Sequence, residues 1–190
     1  MEFRNTTEQG LTIDDVHHRI LRFMRLDPTG TYRFIIGTDC QVHAGYTKFI
    51  SGIVIQRMGK GAWACYRQVF IPRALRSVRE KLSTETALSE EIAMYISEDK
   101  RKEMEDIVVP YIYKGASIDM FIHIDAGADV LRNKTAPFVD EMMRRVESVG
   151  MVPVIKPDCY AASSYANRYT KKPTPLRKHI SSQEVADGSL

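Results

Sequence analysis

The sequence predicts an α/β fold, a mixed β-sheet with helices packed against it. Three observations carry that expectation. Three strand-like stretches follow one another early in the chain with short links, which suits antiparallel pairing. Two later strand-like stretches each follow a helical segment, which suits parallel pairing through right-handed crossovers. Two of the strands, in IIGTDCQVH and MFIHIDAGAD, run apolar and then meet an aspartate, Asp39 or Asp125. Desolvating a carboxylate is costly without a partner, so these strand ends point to a polar site at one sheet edge.

The elements follow in order. Thr12 reads as a helix N-cap with Asp14 and Asp15 in the first turn. Ile13, Val16, Ile20 and Phe23 then form a helical stripe that stops at Asp27-Pro28. Strands are expected over 32–39, 46–57 and 62–71, the last two joined by the glycine-bearing link Met58-Gly59-Lys60-Gly61. From Pro72 the spacing turns helical, with Leu75, Val78, Leu82, Ile92 and Ile96 on one face. A charged stretch over 98–106 leads into a second helical piece containing Pro110. A strand over 117–125, a helix over 135–149 capped by Gly150, and a short strand over 151–155 come next. A last helix is expected over 158–168, and the tail over 173–190 is basic, poor in large apolar residues and expected to be flexible. The order is α-βββ-α-β-α-β-α, with one domain over 1–172.

Composition sets bounds on function. The 190 residues are 44% hydrophobic and 27% charged, ordinary for one globular domain with a sizeable core. No apolar run is long enough to cross a bilayer, and no signal-peptide pattern is seen at the N-terminus. Three cysteines, Cys40, Cys65 and Cys159, are an odd number without metal-like spacing, which favours free thiols and a cytoplasmic location. The net charge of +3 permits a polyanionic partner without demanding one.

A third acid follows from periodicity. The apolar stripe on the helix after Pro72 has a gap that Glu85 and Ser89 fill at the same spacing, so Glu85 faces the sheet. A buried glutamate needs a salt bridge or a shared site. Placed beside Asp39 and Asp125, it suggests an oxygen-only site for Mg2+ or Mn2+. Two such ions about 4 Å apart are suited to phosphodiester hydrolysis.

The segment GTDCQ, the helix glutamate, the HIDAG strand end and the closing IKPDCYAASSYANRYTK together resemble the YkuK-like family. Its members are predicted ribonuclease H-related nucleases, and the resemblance runs from the first helix through Lys171. It implies a ribonuclease H-like fold with strand order 3-2-1-4-5, and a metal site of Asp39, Glu85 and Asp125. It also implies a fourth catalytic position on the last helix, where this chain carries Asn167 instead of an acid. Asparagine offers a carbonyl oxygen but no charge, so the second ion is expected to bind more weakly.

Four further residues are candidates for contact with phosphates: Gln41 and His43 just past Asp39, and Lys156 and Lys171 flanking the last helix. Each reads equally well as an exposed side chain. His123 shares a strand face with Asp125 and reads as a satisfied core histidine or a group that orients substrate. The expectation is a metal-dependent nuclease acting on RNA, DNA or a hybrid. The alternative is a non-catalytic nucleic-acid-binding or assembly module on a degenerate nuclease fold, suggested by Asn167 and the basic tail.

Overall fold

The computed structural model describes residues 1–159 and 165. The last helix over 158–168 lies largely outside them, as do Asn167, Lys171 and the tail. Eleven elements run in chain order among the described residues up to Lys156. Helix α1 spans Ile13–Arg25, and strands β1, β2 and β3 span Thr31–His43, Tyr46–Arg57 and Gly61–Ile71. Helices α2 (Val78–Tyr95) and α3 (Glu98–Val108) are followed by a 3₁₀ turn, Val109–Lys114. Strand β4 (Ser117–Gly127), a 3₁₀ turn (Ala136–Phe138), helix α4 (Val139–Ser148) and strand β5 (Val152–Lys156) complete the set.

The strands form one sheet in the order β3-β2-β1-β4-β5, the order implied by the family resemblance. β1 pairs antiparallel with β2 and parallel with β4, and β5 adds parallel to β4. Each expected strand is present. β1 is longer than expected, because Cys40 to His43 stay in register with Phe49 to Tyr46 of β2. A charged residue inside a strand therefore did not end it.

The main core lies on one sheet face. Phe34 and Ile36 of β1, Ile53 and Ile55 of β2, and Ile122 and Ile124 of β4 pack there against α1, α2, α3 and α4. The alternate residues turn to the other face, where Ile35, Val54, Ile50 and Tyr66 pack with Tyr165.

Helix ends follow local chemistry. Thr12 and Asp15 form a capping box, with Asp15 N–H donating to Thr12 Oγ1 at 3.1 Å and Thr12 N–H to Asp15 Oδ2 at 2.9 Å. α2 begins at Val78 rather than near Pro72, because Ser77 is its N-cap and Leu75 N–H is taken by Thr47 Oγ1 at 2.9 Å. Leu75 is buried as expected, but from a loop. The charged stretch forms α3 with Ser97 as N-cap, and Pro110 falls at the start of a 3₁₀ turn, where its missing N–H costs nothing. Gly150, with φ of 72°, follows α4 in the left-handed conformation that glycine adopts without strain.

Candidate active site

The β1–β4 ladder fixes two of the acids. Its last parallel pair is Gly37 with His123, and Asp39 and Asp125 each lie two residues past it. Beyond this pair the strands leave the ladder, and the β4–β5 register is also broken between His123 and Gly127. The carboxylates thus stand just past the end of the parallel β1–β4 ladder, toward the C-terminal side of the sheet, where open α/β sheets take ligands.

Alternation decides which way they face. Thr38 donates to Ser51 Oγ at 2.9 Å and lies 2.8 Å from Ser89 Oγ, so Thr38 looks toward α2. Asp39 is paired with Ile50, which packs on the opposite face with Tyr66 and Tyr165. Asp125 alternates with Ile124 and Ala126 of the main core, so it too leaves on the far face. Glu85 approaches from the α2 side and bonds to the Cys40 thiol. The three acids meet around the strand ends rather than on one face of the sheet.

They are nevertheless one electrostatic system. Burial of the Glu85 carboxyl, with the charges of Asp39 and Asp125 adding to it, pushes its pKa up to about 8. The Cys40 hydrogen bond and the more distant Lys81 act the other way and are outweighed. Glu85 and Asp125 line a closed crevice together with Thr38, Thr86 and Ser89. Among the described residues Glu85 has no salt bridge. Asp125 does have one, since Lys156 Nζ lies 2.9 Å from its Oδ1. That bond and the Asp125 charge outweigh the burial of Lys156 and raise its pKa.

The other sequence candidates separate. Gln41 and His43 follow Asp39 along the same face of β1. His43 is stacked on Tyr46, with ring centroids 4.6 Å apart and planes 16° from parallel. Lys156 reaches the site directly. His123 is buried, as a core histidine would be, yet among the described residues its Nδ1 has no hydrogen-bond partner. Burial, with Arg33 nearby, lowers its pKa to about 4.

Sequence reasoning missed the Cys40–Glu85 contact, the Lys156–Asp125 ion pair and the buried hydroxyl trio Thr38–Ser51–Ser89. A signal for the trio was present, because Ser89 is one turn after Glu85 on the buried stripe and Thr38 directly precedes Asp39. Ser89 Oγ also donates to the Glu85 carbonyl at 3.2 Å, so the trio seats the turn that carries Glu85.

The donors fit a hard divalent cation in kind. They are carboxylate oxygens, and the pKa of Glu85 is raised first by burial and then by the charges of Asp39 and Asp125. Among the described residues, no group of three His, Cys, Asp or Glu side chains stands in a ready metal-binding array.

Sheet order, crossovers and acids at the β1 and β4 ends define an α/β protein of the ribonuclease H type. The family model described as "Ribonuclease H-like" matches residues 15–171, and the chain belongs to that family. Within it the chain is YkuK-like. It is 41% identical over 169 residues to "Uncharacterized protein YkuK" of Bacillus subtilis (strain 168), a match covering 89% of this chain and 96% of that protein. No solved structure matches the chain. No helix among the described residues is long and apolar enough to cross a membrane.

Proposed function

We propose that this protein is a metal-dependent phosphodiester hydrolase acting on nucleic acid, with Asp39, Glu85 and Asp125 holding Mg2+ or Mn2+. The observation that carries the reading is Glu85, half-buried near two carboxylates and without a salt bridge among the described residues. Bound there, a divalent cation would supply the charge that polarises a phosphodiester and acidifies a water. Asp39 and Asp125 offer carboxylate oxygens from adjacent strand ends. Glu85 holds a proton near neutral pH and releases it when positive charge arrives. Lys156 offers an ammonium to phosphate from beside Asp125, and Asn167 is the neutral member at the fourth position.

The test is a panel of labelled single-stranded RNA, single-stranded DNA, hybrid and duplex substrates incubated with Mn2+. Cleavage is expected, and Asp39→Asn should abolish it. Equal cleavage by the Asp39→Asn protein would trace the activity to a contaminant and remove the proposal.

A second reading, a non-catalytic nucleic-acid-binding or assembly module, draws on the Lys156–Asp125 pair, in which an ammonium already neutralises one of the acids. It expects salt-dependent binding to nucleic acid with no turnover in either metal.

A further inference from the structure

The sheet face turned away from α1 and α2 carries a separate hollow of about 600 Å3. This size is within the range of small-ligand sites. Its floor is Ile35 and Phe121, and the Arg33 guanidinium carbon lies 5.9 Å from the centre of the Phe121 ring. Asp158 stands at the rim. Two polar side chains in the lining are left incomplete. Among the described residues, His123, only 7% exposed, has an unpartnered Nδ1, and the buried Gln56 Oε1 is unpartnered as well. A buried polar atom without a partner costs roughly 1–3 kcal/mol, so native proteins rarely keep one that nothing else satisfies.

We infer that this hollow binds a nucleobase, stacked on Phe121 beside the Arg33 guanidinium and bonded at its edge by His123 Nδ1. The chemistry of the lining selects that class. Aromatic and guanidinium planes are the surfaces on which unpaired bases stack, and His123, two residues along β4 from Phe121, is within reach of the edge of a base stacked there.

The placement deepens the proposed function and, on one point, rests on it. His123 precedes Asp125 by two residues on the same face of β4, roughly 6.7 Å along the strand. A strand with a phosphate at Asp125 would present a neighbouring base to the hollow. Bases in a duplex are stacked and paired, so the substrate class is single-stranded nucleic acid, or a strand with one nucleotide splayed out.

The experiment is calorimetric titration of the full chain in EDTA with the four ribonucleoside monophosphates, and with ribose 5-phosphate as the control that lacks a base. At least one mononucleotide should bind and ribose 5-phosphate should not. Phe121→Leu and His123→Phe, each first shown to keep a cooperative unfolding transition, should weaken that binding about three- to tenfold apiece, the worth of one stacking contact or one hydrogen bond. Equal binding of ribose 5-phosphate, no mononucleotide binding, or full affinity in both hollow variants would mean a water-filled cavity and overturn the inference. The arms separate the two readings. Mononucleotide binding without cleavage removes the hydrolase and keeps the hollow, whereas cleavage without mononucleotide binding does the reverse.

Discussion

Lys156 Nζ lies 2.9 Å from Asp125 Oδ1, so one acid of the carboxylate set carries its own counter-ion. The lysine side chain is 49% exposed, which limits the worth of the pair to at most about 1 kcal/mol. Removing the ammonium should therefore help a competing cation slightly. Lys156→Met is expected to bind Mn2+ up to about fivefold more tightly by calorimetry, the equivalent of ~1 kcal/mol. Weaker Mn2+ binding in this variant would mean that Lys156 supports the site instead of competing for it.

Glu85 sets a pH dependence with a definite sign. Its folded pKa of about 8 is above the ordinary carboxyl value of 4.5. Between these two values the native state holds a proton that the unfolded chain has released, so stability falls as pH rises through this window. Glu85→Gln should match wild type near pH 4.5 and gain roughly 2–4 kcal/mol at pH 8.5 in urea unfolding. A variant no more stable than wild type at pH 8.5 would show that the carboxylate is already compensated.

His123 works in the opposite direction. Its pKa is lowered from 6.5 to about 4, so the unfolded chain binds a proton that the native ring refuses. Stability contributed by the neutral ring is complete above pH 6.5 and is lost as pH falls toward 4, by roughly 2–3 kcal/mol. An NMR titration should find the His123 ring neutral at pH 5.5, where an ordinary histidine is mostly charged. A midpoint near 6.5 would contradict the burial.

The hydroxyl trio should matter to both fold and site. Thr38→Val removes the group that joins Ser51 and Ser89 and leaves two buried hydroxyls short of a partner. The expected loss is ~1–3 kcal/mol in denaturant unfolding. Ser89→Ala made together with it should cost less than the sum of the two single changes, since they break one shared contact. Strict additivity would mean that the two side chains act independently.

Arg101 closes a helix junction. Its guanidinium donates to the carbonyls of Ile96 at 3.1 Å, Val149 at 2.8 Å and Gly150 at 3.1 Å, acceptors at or just past the ends of α2 and α4. Arg101→Met keeps the apolar stem and loses these bonds, and about 2–3 kcal/mol of stability should go with them. Arg101→Lys should recover less than half, because an ammonium cannot reproduce the fork. Full rescue by lysine would reduce the role to charge alone.

Much of the architecture was legible because period and punctuation are local. Thr12 with its first-turn acids marked α1, the glycines after Met58 marked the β2–β3 hairpin, and helices between the later strands implied parallel pairing. Boundaries were less legible. Asp39 looked like a strand end because a carboxylate seemed a poor strand residue, yet β2 holds four further residues of β1 in the ladder. The start of α2 was misplaced because Leu75 fits the helical stripe, while a side chain from distant Thr47 holds its backbone in a loop. The three candidate acids were found from strand ends and helix spacing. Their approach from opposite sides of the sheet was not, because it depends on the pairing of Thr38 with Ser51 and of Asp39 with Ile50.

The order of apolar and polar residues, by itself, dictated the kinds of element, their succession and the presence of acids on β1, α2 and β4, since each of these answers to neighbours a few positions away. Only the folded chain decided that Asp125 takes Lys156, that Glu85 takes Cys40, and that His123 and Gln56 end beside a hollow with bonds still unmade. Those outcomes turn on the register between strands far apart in sequence. A shift of one residue there would send each side chain to the other face of the sheet.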